Sequence, residues 1–152
     1  MVRYSVFITL ALALGFAVGC SRPQSASLQS APSAPPSADA ALANGRAIFR
    51  TGKDADGVRI AAATPPLFGN CAACHGSSGA GGMHLPGAVS ADLRYKALVA
   101  DPKVPYTIDT VERAIATGID NNGAKLNPIM PRWKLSKRDL HDVAYYVLTE
   151  LK

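Results

Sequence analysis

The feature that most constrains this chain is a run of five residues near its centre. Cys71-Ala72-Ala73-Cys74-His75 places two thiols three positions apart and an imidazole directly after the second. Thiols at that spacing lie on one helical turn, where both can form thioether bonds to the vinyl groups of a haem, and the histidine then lies beneath the iron as an axial ligand. The pattern therefore predicts one covalently bound haem c, attached through Cys71 and Cys74 and ligated by His75.

Three other uses of the same residues are weaker. A zinc site needs two more ligands at suitable spacing, and the remaining histidines, His84 and His141, show no such pairing. A thioredoxin-like redox motif needs a βαβ context, and no alternating strands are evident. A plain disulfide leaves His75 without a role. The cysteine count also favours haem, because the chain has three cysteines and the third, Cys20, has a different use.

The N-terminus has the pattern of an export signal. Arg3 gives it a positive charge, and 11 of the 13 residues from Val6 to Val18 are hydrophobic. A membrane-spanning helix needs about 20 apolar residues, so 13 residues favour a signal peptide over 1–19. An uncleaved, tilted membrane anchor is the alternative. Haem attachment outside the cytoplasm agrees with export.

Ala17-Val18-Gly19-Cys20 resembles a bacterial lipobox, in which the cysteine is lipidated and becomes the first residue of the mature protein. Ala17 departs from the Leu, Val or Ile usual at its position, whereas Gly19 fits. The resemblance implies an exported lipoprotein on the periplasmic side of the bacterial cell envelope, held to a membrane by lipid on Cys20. Without lipid on that cysteine, the protein would be periplasmic and soluble.

A tether follows the cysteine. The 18 residues of 21–38 include six Ser, four Pro and four Ala, a composition that cannot bury a core. We therefore divide the chain into a signal peptide (1–19), a lipidated cysteine with a disordered tether (20–38) and one folded domain (39–152). The folded part has roughly 115 residues, which is enough for one modest core.

The folded part carries three strong helix signals and no alternating strand pattern longer than a few residues. Each helix signal joins a capping side chain to an apolar stripe with helical spacing. The predicted helices run from a cap at Ser37 or Asp39 to about Thr51, from Ile108 to Thr117 after a cap at Thr107, and onward from a capping box formed by Ser136 and Asp139. A weaker helix is predicted over 92–99. The class is all-α with long loops.

These residues together resemble a class I monohaem cytochrome c. Gly45-x-x-x-Phe49 in the first helix, the haem motif with its following Gly76, Met130-Pro131-Arg132-Trp133, and Tyr146 in the last helix match motifs of that family. The resemblance implies that the first and last helices cross around one covalent haem, with Gly45 allowing their close approach. One departure is the 22 positions between Phe49 and Cys71, so that residues 52–70 must loop out before the chain returns to the haem.

The second axial ligand has several candidates, which are Met83, His84, Met130 and, weakly, His141. Met83 and His84 follow His75 too closely to reach the far face of a haem without a detour. Met130 lies 55 residues after His75, and the family motif assigns the ligand role to it. We therefore predict His75 and Met130 as the iron ligands.

Two further residues are candidates for haem contacts. A ligating histidine usually donates its other N–H to a carbonyl or carboxylate, and the resemblance assigns that carbonyl to Pro86. A turn proline is the alternative. Trp133 is predicted to pack on the haem or to donate its indole N–H to a propionate, because a buried tryptophan needs a partner for that group.

The charge distribution bears on partners. Acidic residues are absent between Asp120 and Asp139, where five basic residues occur, namely Lys125, Arg132, Lys134, Lys137 and Arg138. Beside the ligand loop they favour docking to a redox partner with an acidic surface, although a merely solvated face would have the same sequence. Nucleic acid is not expected, since no binding motif is present.

The sequence thus predicts a carrier of single electrons between redox proteins outside the cytoplasm, and not an enzyme. One alternative is a dedicated haem subunit of a larger dehydrogenase or oxidase. The other is a gas sensor or peroxidase with an open iron, which requires that Met130 not be a ligand.

Overall fold

The first helix begins and ends at the residues that cap it. In the computed structural model, which describes residues 37–152, α1 spans Ala38–Thr51. The Ser37 hydroxyl accepts a hydrogen bond from the N–H of Ala40, and Gly52 closes the helix in the left-handed conformation with φ 68°. Ser37 and Ala38, the last two residues of the predicted tether, therefore belong to the first helix and its cap. The predicted signal peptide, Cys20 and the rest of the tether lie outside the described residues.

The other two long helices match their predicted positions. Helix α3 spans Ile108–Thr117 behind a capping box of Thr107 and Thr110. Helix α4 spans Lys137–Glu150, and its cap Ser136 accepts from the N–H of Asp139. The second half of that predicted box differs, because the Asp139 carboxylate accepts from the Ser136 hydroxyl and not from the backbone. The helices form the frame of the domain, which confirms the all-α class.

Helices α1 and α4 cross at Gly45, as the family resemblance implies. A Cβ placed on Gly45 would lie 2.1 Å from the carbonyl oxygen of Asp142 and 2.7 Å from Cβ of Tyr146. Only glycine permits this approach. Phe49 packs beside the crossing with its ring centroid 5.6 Å from that of Tyr146. The core continues through further buried side chains, namely Ile48, Leu98, Val111, Ile115, Trp133, Val143, Ala144, Val147 and Leu151.

The remaining elements are short. Helix α2 spans Ala72–His75. The helix predicted over 92–99 is instead one π-helical turn over Lys96–Ala100. Two antiparallel pairs of two-residue strands were not predicted: β1 (Ala61–Ala62) with β4 (Trp133–Lys134), and β2 (His84–Leu85) with β3 (Ala88–Val89). Within residues 37–152, no helix is long and apolar enough to span a membrane.

Candidate functional site

The haem motif forms one tight turn. Cys71 precedes α2, and its carbonyl accepts from the N–H of His75 at 3.0 Å. The Asn70 side chain accepts from the N–H of Ala73 at 2.8 Å, so it caps this turn. Sequence reasoning overlooked Asn70, although an asparagine just before a helical turn is a common capping signal. The turn brings both cysteines and the histidine to the wall of a single cavity.

The backbone holds the buried imidazole of His75 in one orientation. Its Nδ1 lies 2.8 Å from the carbonyl oxygen of Ala91. Because a carbonyl only accepts, Nδ1 must carry the proton, which leaves Nε2 as the basic nitrogen. Burial lowers the pKa of His75, and the bond to Ala91 opposes that shift. The imidazole is thus held neutral, in the form that ligates a metal.

The assignment of Pro86 is therefore wrong. The carbonyl that accepts from the His75 ring belongs to Ala91, five residues further along. Pro86 is exposed and forms, with Gly87, the turn that joins β2 to β3. Proline suits the first central position of such a turn because its φ is already restricted. The turn directs the chain back so that Ala91, and not Pro86, reaches the histidine.

Burial disfavours the thiolate form of both cysteine side chains. Burial is the main cause that raises the pKa of Cys71 to about 12, and burial also raises the pKa of Cys74. Both thiols are free, so the disulfide alternative is not realised. A zinc site also gains no support, because residues 37–152 contain no group of three or more His, Cys, Asp or Glu side chains arranged to hold a metal ion.

The cavity is built mostly from apolar side chains. Met130 lines it beside Ile129 and Pro131, whereas Met83 and His84 are exposed and do not line it. The structure thus brings only one of the predicted alternatives to the site. His141 lies on the surface, where its Nδ1 is 3.2 Å from a carboxylate oxygen of Glu112. The other lining residues come from every part of the fold, including Phe49, Leu93, Leu98, Tyr106, Val111, Ile115, Leu126, Val143 and Val147.

Trp133 is buried and also lines the cavity. It lies in β4, directly after the Met130 loop, and pairs with Ala62 of β1. Within residues 37–152, no hydrogen bond is assigned to its indole N–H. Its location agrees with packing against a group in the cavity, and the bond to a propionate stays a prediction.

The inserted segment 52–70 returns to the cavity. Its first part forms a turn in which Asp54 and Val58 are joined by a backbone hydrogen bond. Strand β1 then pairs with β4, and Leu67 and Phe68 reach the cavity wall. Both are partly exposed, at 62% and 42%. The length of the insertion predicted a loop, but only the pairing with β4 brings it to the site.

An all-α domain whose first and last helices cross over a cavity with this cysteine–histidine turn has the architecture of a class I cytochrome c. The family model described as Cytochrome c matches residues 42–150, which is most of the chain. The chain therefore belongs to the cytochrome c family. It is a haem-based electron-transfer protein that binds haem c covalently, one group in this small domain. No significant match was found among curated proteins or solved structures.

The residues in the cavity fit this cofactor. The two thiols would supply the groups that thioether bonds require, a neutral imidazole with a fixed proton would supply one ligand, and a thioether lies on the same cavity. Apolar walls suit the ring of a porphyrin.

Proposed function

We propose that this protein is an exported, membrane-tethered carrier of single electrons, with a closed, six-coordinate haem iron. In this proposal, Cys71 and Cys74 form the thioether bonds, His75 is the proximal ligand and Met130 the distal ligand. The observation that carries it is the shared cavity, which contains all four side chains. Haem supplies the one-electron chemistry, and the chain binds it, orients it and keeps water from it.

The assignment of Met130 is supported by its surroundings. Leu126, Ile129 and Pro131 flank it in the cavity wall, so a thioether there lies in an apolar environment. Histidine–methionine ligation raises the reduction potential relative to other ligand pairs. It also closes the iron to gases and peroxide, which favours a carrier over a sensor or a peroxidase.

The decisive experiment compares Met130→Ala with Met83→Ala in haem-loaded protein. We expect Met130→Ala to abolish the weak far-red band of methionine-ligated ferric haem, to lower the reduction potential and to let carbon monoxide bind the reduced iron. Met83→Ala is the matched control, because its side chain is exposed and away from the cavity. If wild-type protein binds carbon monoxide readily, the iron is open and the carrier proposal fails.

Covalent attachment is tested by extraction. Haem should stay with the wild-type protein in acid–acetone, and a Cys71→Ala, Cys74→Ala double variant should release any haem that it retains. Free extraction from the wild type would contradict the role of both cysteines.

We propose docking to an acidic partner surface through the basic residues around the ligand loop. Lys125, Lys134, Lys137 and Arg138 are exposed, which supports this reading. Arg132, the fifth basic residue of this stretch, is not included in the docking surface, because its guanidinium is hydrogen-bonded to backbone carbonyls. Electron-transfer rates with an acidic partner should fall as ionic strength rises, and less so in Lys134→Gln. Rates that do not depend on salt would refute the electrostatic docking.

We further propose that lipid on Cys20 holds the protein on the periplasmic side of the envelope. The support is the sequence of residues 1–38. Cys20→Ser should give a soluble, haem-loaded protein after fractionation. If the variant stays in the membrane fraction, an uncleaved helix is the anchor.

The second candidate is a haem subunit of a larger dehydrogenase or oxidase. It is favoured by the exposed apolar side chains at the cavity, namely Leu67, Phe68 and Val89, which suit a permanent partner. A stable complex purified from native membranes would favour the subunit, and a monomer that exchanges electrons with several proteins would favour the carrier.

A further inference from the structure

One arginine spans the loop that carries Met130. Arg132 Nη1 donates to the carbonyl oxygen of Met130 at 2.6 Å, and its Nη2 donates to the carbonyl oxygen of Leu126 at 3.0 Å. The side chain is only partly exposed. The two arms of one planar guanidinium thus join the start of the loop to the residue proposed as the iron ligand.

The fold makes room for this guanidinium at the end of α3. Gly118 closes that helix, and a Cβ placed on it would lie 1.9 Å from both Cζ and Nε of Arg132. The Gly118 carbonyl also accepts from the N–H of Leu126 at 2.9 Å. The guanidinium therefore packs on the C-terminus of α3, where the helix dipole favours a positive charge.

The backbone of the same arginine is held from the opposite direction. The carbonyl oxygen of Arg132 accepts from the N–H of Ala63 at 2.8 Å, and β1 and β4 pair directly beyond it. The inserted segment thus fixes where residue 132 lies. From this fixed backbone position, the side chain of Arg132 extends to the loop that carries Met130.

We propose that Arg132 is a positioning residue that keeps Met130 in the cavity as the distal ligand. The inference rests on the proposed ligation by Met130, and it assigns to Arg132 a structural task distinct from docking. The fork of the guanidinium is essential, because a lysine ammonium keeps the charge but is a single point on a flexible stem. Lysine cannot hold both carbonyls in the same planar geometry.

The test uses haem-loaded Arg132→Gln and Arg132→Lys, with Lys103→Gln as the matched control. Lys103 is an exposed cation outside the docking surface and the cavity wall, with its side chain in no hydrogen bond within residues 37–152. The readouts are the far-red band and the affinity of the ferric protein for added imidazole, which binds only when the methionine has left the iron.

We expect Arg132→Gln to raise the imidazole affinity about tenfold or more, since a lost hydrogen bond to a charged group changes an equilibrium by at least that factor. Arg132→Lys should resemble Arg132→Gln, and Lys103→Gln should resemble the wild type. Chemical unfolding of each variant separates opening of the loop from global loss of stability. The higher imidazole affinity of Arg132→Gln should already be present at denaturant concentrations at which all variants are fully folded.

Two outcomes overturn the inference. An Arg132→Gln variant with wild-type imidazole affinity and an intact far-red band shows that Met130 needs no such support. Full recovery in Arg132→Lys shows that charge, and not the fork, is what matters. Failure of the proposed function looks different, because the wild type itself would then lack the far-red band and Met130→Ala would leave the spectrum unchanged.

Discussion

The crossing of α1 and α4 and the loop that carries Met130 are held by different forces. At the crossing, Ile48, Phe49 and Ala144 are fully buried at 0% exposure, and backbones approach so closely that Gly45 has no substitute. The loop is only half-buried and depends on directional hydrogen bonds from Arg132 and Ala63. The free energy gained by burial grows with the apolar area removed from water, so the crossing cannot open without a large loss. A few hydrogen bonds, in contrast, can open while the rest of the fold persists. The crossing therefore determines whether the domain folds, and the loop places Met130, the proposed distal ligand, at the cavity.

The largest effect is expected at the crossing. Gly45→Ala should lower the free energy of unfolding by more than about 3 kcal/mol, because the added Cβ would overlap the backbone of α4. In a helix interior, alanine is normally more favourable than glycine by about 1 kcal/mol. The steric cost of the added Cβ must therefore exceed that gain in helix propensity. Denaturant unfolding of haem-loaded protein gives the measurement.

Gly57→Ala is the control for Gly45→Ala. Gly57 has φ 81°, but a Cβ there would meet no atom within 4 Å. Only backbone strain remains, which costs about 1–2 kcal/mol. Equal losses in the two variants would mean that the helices can separate slightly, and the contrast between crossing and loop would weaken.

The next largest loss of stability is expected when a polar contact buried at the crossing is removed. The Asn44 side chain donates to Asp142 at 2.7 Å and to Asp139 at 2.9 Å, and its oxygen accepts from the N–H of Ala55 in the inserted segment. Asn44→Ala should cost about 2–3 kcal/mol, since it leaves the carboxyl group of Asp142 buried without this donor.

Arg138→Ala removes the other partner of the same carboxyl group. Arg138 is largely exposed and lies 3.6 Å from Asp142. Solvent weakens this pair, so we expect a loss below about 1 kcal/mol. If thermal or denaturant unfolding shows the reverse order, the charge of Arg138 and not the amide of Asn44 holds Asp142 in the crossing.

The smallest effect on stability is expected at the cavity rim, where the readout is the reduction potential. Phe68→Ala should change the free energy of unfolding by less than about 1 kcal/mol, because the side chain is partly exposed. The potential should fall, since solvent that reaches the haem stabilises the more highly charged ferric state. Val104→Ala removes a similarly exposed apolar side chain that does not line the cavity, and its potential should match the wild type. An unchanged potential in Phe68→Ala would mean that the inserted segment does not cover the cofactor.

The sequence by itself determined the parts that depend on neighbours along the chain. Ser37, Thr107 and Ser136 cap helices at three-residue spacing, and the turn of Cys71, Cys74 and His75 closes within one helical turn. These contacts span three or four positions, so a local pattern suffices to predict them. The resemblance to class I cytochromes c supplied the crossing and the place of Met130 on the cavity wall.

Only the tertiary structure decided the contacts between distant segments. It is Ala91, 16 positions away, and not Pro86, that orients His75, and Ala63 bonds to Arg132 across more than half of the domain. Backbone carbonyls and amides occur at every residue, so a sequence carries no sign of which one will be used. The identity of Arg132 likewise does not show whether its side chain faces solvent or spans a loop. In the folded protein, Gly118 at the end of α3 leaves the space in which the guanidinium lies beside the Met130 loop.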